Sequence, residues 1–241
     1  MKAIILAAGS GKRIKIHKPK GFINIAGKYL IDYSIDNLLK IGVSEIIIVT
    51  GYYNEMYKNY FNSNEKVRLI FNPEYSSSGS LHSLYLALKD IDKDEDLVIL
   101  DSDILYNWNE FENFINSNYT NSILATNVND DRNDACYIET DISDNLIKIS
   151  KNINCVSFDG NPWEYIGITK TSKDSIQMLI DYTEDKYKIT GNIDHEYDYA
   201  FESIDLKYKV LRYPDYIWSE ADDNFQLQYM INIVYPKITL C

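Results

Sequence analysis

The first hundred residues alternate apolar runs with stretches in which apolar positions recur at helical spacing. Residues 2–6 are almost wholly apolar and stop at Ala7-Ala8-Gly9-Ser10-Gly11, the pattern of a buried strand entering a glycine-bearing loop. Over residues 29–41, Leu30, Ile31, Ile35, Leu38 and Leu39 mark one helical face, and Gly42 supplies the stop. Residues 44–50 are a β-branched strand. A helix over 52–61, a strand over 67–71, a helix over 80–88 and a buried strand over 97–100 continue the alternation. Strands separated by helices require parallel pairing with right-handed crossovers. The fold class expected is therefore α/β, a doubly wound and mostly parallel sheet. In such sheets ligands sit beyond the carboxyl ends of the strands, so residues 7–11 and 101–103 are expected to converge.

Beyond residue 121 the pattern loosens into shorter strands, at 122–126, 135–140, 146–149 and 163–169, expected to extend the sheet and wall a pocket. A helix over 172–182, a strand over 208–212 and a closing helix over 224–234 follow. No repeat or low-complexity linker interrupts the chain, so residues 1–241 are read as one domain.

Composition narrows the function classes. A chain of 241 residues, 45% hydrophobic, buries a sizeable core. The net charge of -12 and the lack of a basic block argue against a protein that grips nucleic acid through its backbone phosphates. Cys136, Cys155 and Cys241 are odd in number and without a CxxC pair, which suggests neither a disulfide scaffold nor a zinc site and fits a reducing cytoplasm. The apolar N-terminal run is too short for a membrane span and lacks a signal-peptide ending. The 21 tyrosines are scattered and decide nothing alone.

Chemistry concentrates in a few segments. Gly9-Ser10-Gly11-Lys12-Arg13 joins flexible backbone to two cations behind a strand, which suits a triphosphate, and fits an ordinary glycine turn equally well. It is neither a Walker A motif nor GxGxxG. Asp101 and Asp103 end a buried strand and are read as placing one carboxylate on each face of the sheet. Hard oxygen ligands there suit Mg²⁺, and a strand-end turn or helix cap explains an isolated DxD as readily. Glu220, Asp222 and Asp223 form a second acidic set, with Asp223 suited to cap the helix from Asn224. His82 is read as a packed helix residue rather than a general base, because a phosphate nucleophile is already ionised. Tyr165, Tyr197, Tyr199 and Trp218 suit either core packing or an aromatic cage for a quaternary ammonium.

LAAGSGKR, then KPKGFINIAGKYLIDYSIDNLLKIGVSEIIIVTGY, then NPEY, GSLHSLYLAL, VILDSD and WSEADD run in order along most of the chain. Together they resemble the sugar-phosphate and phosphocholine-type nucleotidyltransferases, closest to the phosphocholine and aminoalkylphosphonate cytidylyltransferases. The resemblance implies that Leu6, Ala8 and Gly9 lie near the base and that Gly11, Lys12 and Arg13 face the triphosphate, with Arg13 and Lys12 receiving the leaving pyrophosphate. It makes Lys20 the lysine at the reacting phosphates and Asp103 and Asp222 the ligands of Mg²⁺. Tyr75, Gly79 and Ser80 fall in the segment over the base, where phosphocholine-type members often carry paired asparagines and sugar-phosphate members Gly with Thr or Ser. Acceptor contacts are expected from Glu164, Tyr165, Tyr197 and Trp218, with Asp134, Lys151, His195 and Glu196 as further candidates. The partners implied are CTP and a small phosphorylated acceptor such as phosphocholine or 2-aminoethylphosphonate, with no nucleic acid and no membrane. A sugar-1-phosphate nucleotidyltransferase and a silent nucleotide-binding regulator are the competing readings.

Overall fold

The computed structural model describes residues 1–11, 13, 14, 16–128, 135–202 and 207–239. Strand β1 (Lys2–Ala7) runs into the glycine loop. A hairpin of β2 (Asn24–Ile25) and β3 (Lys28–Tyr29) leads into α1 (Leu30–Lys40). The alternation continues through β4 (Ile46–Thr50), α2 (Asn54–Phe61), β5 (Val67–Phe71), α3 (Ser80–Asp90) and β6 (Leu97–Asp101). Next come β7 (Ile104–Tyr106), α4 (Trp108–Ile115), β8 (Ser122–Asn127), β9 (Cys136–Thr140), β10 (Leu146–Ser150), β11 (Trp163–Thr171) and α5 (Lys173–Thr190). Finally β12 (Lys209–Arg212), β13 (Trp218–Glu220), α6 (Asn224–Tyr229) and α7 (Tyr235–Thr239) close the described chain.

The main sheet has the order β10-β9-β11-β6-β1-β4-β5, with β8 against β11 and β12 against β8. The strands β6, β1, β4 and β5 pair in parallel, as the alternation with helices requires. Every residue of β1 is buried, because helices cover both faces. On one face Ile4, Leu6, Ile47, Val49 and Ile99 pack with Leu84 and Leu88 of α3 and Ile176 and Leu179 of α5. On the other, Ala3, Ile5, Ile46, Ile48 and Leu100 pack with Ile35 of α1, Tyr57 of α2 and Phe111 of α4. Two covered faces explain why these strands read as apolar runs instead of alternating. Each buried Ile or Leu contributes about 1.5–3 kcal/mol.

The later strands do extend the sheet: β8, β9, β10 and β11 pair antiparallel, and β12 pairs in parallel with β8. In β11, Trp163 to Tyr165 pair with β9, whereas Ile168 to Thr171 pair with β6. The register against β8 shifts between Tyr165 and Thr169, and Gly167 there has φ 79°, a left-handed backbone that glycine adopts without steric cost. Along one edge β11 thereby spans β9 and β6, with β8 on its other edge, and the bend lies at the end of β6.

Several elements differ from the expectation. The β2–β3 hairpin, β7, α4 and β13 are too short, or in α4's case too brief a periodic stretch, to stand out. Helix α5 runs to Thr190, not 182, because Tyr182 and Tyr187 also pack on the core, and Gly191 in a left-handed conformation ends it. The closing helix is split by a π-helical turn at Met230–Val234, directly before α7, where Pro236 lacks an N–H to donate.

Candidate active site

A cavity of about 650 Å³ opens beyond the ends of β1 and β6. It is lined by Leu6, Ala8, Gly9, Gly11, Arg13, Lys20, Tyr75, Gly79, Ser80, Asp103, Glu164, Tyr165, Tyr197, Trp218 and Asp222, so most of the described residues picked from sequence line one cavity. Lys12 and Asp134 lie outside the described residues. Lys151 and Glu196 also line the cavity, whereas His195 and Tyr199 do not. Asn72, from the NPEY stretch, lines it as well, and so do Cys136, Asp194 and Asp198, which sequence reasoning did not assign to a site. Their only signal was proximity in sequence to motifs already chosen.

At the centre, the Lys20 ammonium donates to Asp103 Oδ2 at 2.6 Å and to Asp222 Oδ1, while Arg13 Nη2 donates to Asp222 Oδ2. Three distant segments are brought together by local structure. Lys20 opens a short 3-10 turn, Lys20–Phe22, anchored by buried Phe22. The β13–β7 pairing sets Glu220 opposite Ile104, and Ala221 N–H donates to the Asp103 carbonyl at 2.9 Å. A separate apolar cluster of Ile14, Ile23, Leu105, Ala221 and Met230 fixes this corner. Asp223 accepts from Gln226 N–H at 2.8 Å and so caps α6, leaving Asp222 to the cavity. Burial alone would lower the Lys20 pKa, but Asp103 and Asp222 outweigh it and raise it. Burial likewise opposes ionisation of Asp222, and Lys20 and Arg13 overcome it, holding the carboxyl below its usual value.

Asp101 does not diverge from Asp103 as the sequence suggested. β6 ends at Asp101, Asp103 lies in the turn that follows, and both residues line the cavity. Asp101 ends β6 against the bend of β11, where a side chain on Gly167 would meet its Oδ2. Burial, then the charges of Asp103, Asp198 and Glu220, push the Asp101 carboxyl well above its ordinary value. Behind it, the Tyr165 hydroxyl lies 2.7 Å from Thr169 Oγ1 and 2.9 Å from the Tyr197 hydroxyl.

Gly79 and Ser80 hold two walls together. Gly79 N–H donates to the Ile193 carbonyl at 3.1 Å, and a β-carbon at Gly79 would overlap the His195 backbone. Ser80 Oγ donates to Glu196 and accepts from Tyr197 N–H at 3.0 Å. Fully buried Asn72 donates to Ser78 and Ser83, each at 3.0 Å, and accepts from Glu74 N–H, which fixes the 72–78 segment. His82 is packed as expected, with Nε2 2.8 Å from Glu74 Oε2 and Nδ1 3.2 Å from the Tyr187 hydroxyl.

At the other end of the cavity, Cys136 Sγ donates to Asp198 Oδ2 at 3.1 Å. Burial raises the Asp198 pKa against the effect of that thiol and of Lys151, and burial with Asp198 keeps the Cys136 thiol protonated. The Lys151 ammonium, disfavoured by burial, is held charged by Glu196 and Asp198.

The described residues contain no group of three or more His, Cys, Asp or Glu side chains placed as a metal site. Two carboxylates do converge on one cationic atom, Lys20 Nζ. That donor set fits a hard divalent cation of the magnesium kind, which takes one or two carboxylates and completes its shell with water and substrate phosphates. The charge balance points the same way. Among the described residues, Asp101, Asp103, Glu164, Asp194, Glu196, Asp198, Glu220 and Asp222 line the cavity against the cations Arg13, Lys20 and Lys151. Such a wall repels a polyanion unless a further cation enters with it.

A parallel sheet with a glycine loop after β1, a lysine joined to two acidic strand ends and antiparallel strands walling the far side define a nucleotidyltransferase-type α/β domain. The model of the MobA-like NTP transferase domain matches residues 3–165, more than half of the chain, and the chain belongs to that family. It is 37% identical over 113 residues to the CTP:phosphoglutamine cytidylyltransferase of Campylobacter jejuni, covering 44% of this chain and 45% of that protein. It is 39% identical over 94 residues to the choline-phosphate cytidylyltransferase of Streptococcus pneumoniae, covering 38% and 41% of the two chains. The match thus spans less than half the length of these curated relatives. Among solved structures, the CTP:phosphocholine cytidylyltransferase of Streptococcus pneumoniae superposes with a TM-score of 0.76 at 23% identity, covering 96% of this chain and 98% of that one. The inositol-1-phosphate CTP transferase of T. maritima superposes with a TM-score of 0.79 at 19% identity, covering 99% and 96%. At these identities the superpositions establish the fold.

Proposed function

We propose that the chain is a magnesium-dependent cytidylyltransferase that joins the α-phosphate of CTP to a small phosphorylated or phosphonate amino-alcohol acceptor and releases pyrophosphate. The observation that carries this reading is the junction of Lys20 with Asp103 and Asp222 beside the Gly9–Gly11 loop. Family membership supports transfer of a nucleotide. The names of the Campylobacter and Streptococcus relatives support CTP as donor and a phosphorylated acceptor.

Under this reading the acceptor's phosphate oxygen attacks the α-phosphorus in line, and the bond to the β-phosphate oxygen breaks. Mg²⁺ held by Asp103 and Asp222 would supply positive charge that reduces repulsion between the two anions. Lys20 offsets charge growing on the α-phosphoryl oxygens, and Arg13, with Lys12, receives the pyrophosphate. The backbone of Leu6, Ala8, Gly9 and Gly11 takes the base and phosphates, with Tyr75, Gly79 and Ser80 above. Glu164, Tyr165, Tyr197 and Trp218 face the acceptor. The sheet draws strands from Lys2 to Arg212, which supports reading residues 1–241 as one catalytic unit. The sugar-phosphate alternative drew on Gly79-Ser80. The packing of both residues against the 193–197 segment supplies another reason for that pair.

The test is pyrophosphate release with Mg²⁺, offering CTP, UTP, dTTP, GTP and ATP against phosphocholine, 2-aminoethylphosphonate and glucose-1-phosphate. Release with CTP and an amino-alcohol acceptor is expected. Release only with a sugar phosphate would move the chain to the sugar-nucleotide branch, and silence in every pairing would overturn the reading.

A further inference from the structure

We propose that the acceptor's nitrogen is recognised through its own N–H hydrogens by the buried Asp198 carboxylate, so that a primary ammonium is taken and a quaternary one rejected. This rests on the cytidylyltransferase reading and narrows its acceptor class.

The rings that would cage a quaternary ammonium are already committed. Tyr165 and Tyr197 are only 6% and 4% exposed. Their hydroxyls pair with each other at 2.9 Å, and Tyr197 packs edge-on against Phe201 at 5.7 Å and 86°. Trp218 is 8% exposed and belongs to the core beneath the sheet. Tyr199 does not line the cavity. Little aromatic face is left for cation–π attraction, which needs the cation over an open ring.

Hydrogen-bond acceptors stand there instead. Asp198 is 6% exposed and lines the cavity. Its Oδ2 accepts from Cys136 Sγ and its Oδ1 from Tyr199 N–H, each at 3.1 Å. A carboxylate has about four lone-pair sites, so two remain for a ligand. Glu196 adds a second carboxylate at the same end. Lys151 lines the cavity within electrostatic reach of both. An ammonium bearing hydrogens satisfies Asp198 directly. A trimethylammonium displaces water from the carboxylate and returns no hydrogen bond, and sites built around such a bond discriminate strongly against ligands that lack it.

Phosphoethanolamine and phosphocholine differ only in three N-methyl groups and separate these cases. Calorimetric titration of each into the protein saturated with Mg²⁺ and a non-hydrolysable CTP analogue should show phosphoethanolamine binding at least about tenfold more tightly. Asp198→Asn should remove that preference, and Cys136→Ala, which leaves the carboxylate in place, should keep it. Equal or tighter binding of phosphocholine, a preference that survives Asp198→Asn, one lost in Cys136→Ala, or no binding of either acceptor would overturn the proposal. Failure of the CTP analogue itself to bind would instead remove the cytidylyltransferase reading, and this inference with it.

Discussion

The Lys20 ammonium sits 2.6 Å from Asp103 Oδ2 across 83 positions of sequence, and the same nitrogen also donates to Asp222. These groups are mostly shielded from solvent, and Lys20 and Asp222 hold each other in their charged forms. Lys20→Met should lower kcat/KM about 10²–10³-fold, the scale of losing one transition-state donor. Asp103→Ala and Asp222→Ala should reduce turnover by orders of magnitude with the fold intact. Steady-state kinetics with circular dichroism check all three, and near-normal rates in both aspartate variants would remove the metal assignment.

Gly79 is the point where the start of α3 meets the 193–197 backbone. In Gly79→Ala the added methyl has backbone on its far side and cannot be accommodated by a rotamer change. Loss of about tenfold or more in kcat/KM is expected, with faster amide exchange across residues 191–198. Unchanged exchange there would contradict the packing role.

Lys170 lies away from the cavity and tests stability alone. Its ammonium donates to the carbonyls of Ile115 and Ser117, each at 2.9 Å, closing the C-terminal end of α4, which has no basic residue in its own last turn. Lys170→Met should cost roughly 3 kcal/mol. The melting temperature should then fall by about 6–12 °C with KM unchanged, and an unaltered melting curve would refute the assignment.

Asp101 gives the chain a specific pH dependence. Its folded pKa is raised by burial and by Asp103, so its contribution to stability is fully present below the ordinary carboxylate range. As pH rises, the unfolded chain loses this proton first, and stability declines through the folded value. Asp101→Asn should flatten that decline in metal-free protein and raise the melting temperature near neutral pH, at about 2–4 °C per kcal/mol. Equal slopes of melting temperature against pH in the two proteins would exclude Asp101 as the source.

The parallel core was legible because strands covered on both faces must be apolar throughout, and the helices between them show one apolar stripe. Val67–Phe71 matched to the residue, and Leu97–Asp101 to within one. The hairpin at Asn24–Tyr29 and the β7–β13 pair were not legible, since two or three residues carry no period. The placement of Asp101 and Asp103 on one cavity was misread, because the strand ends at Asp101 and a turn carries Asp103.

Local sequence therefore determined the alternating elements, the glycine loop, the motif order and the residue types available for phosphate and metal chemistry. Tertiary structure alone decided that Lys20, Asp103 and Asp222 meet at one nitrogen, that β11 bends at Gly167 to press on Asp101, and that Cys136 and Asp198 share the far wall. Periodicity reports the faces of each element because side-chain direction is a local property of the backbone. Which distant faces meet depends on strand order and loop closure, and those are set by burial summed over the whole chain.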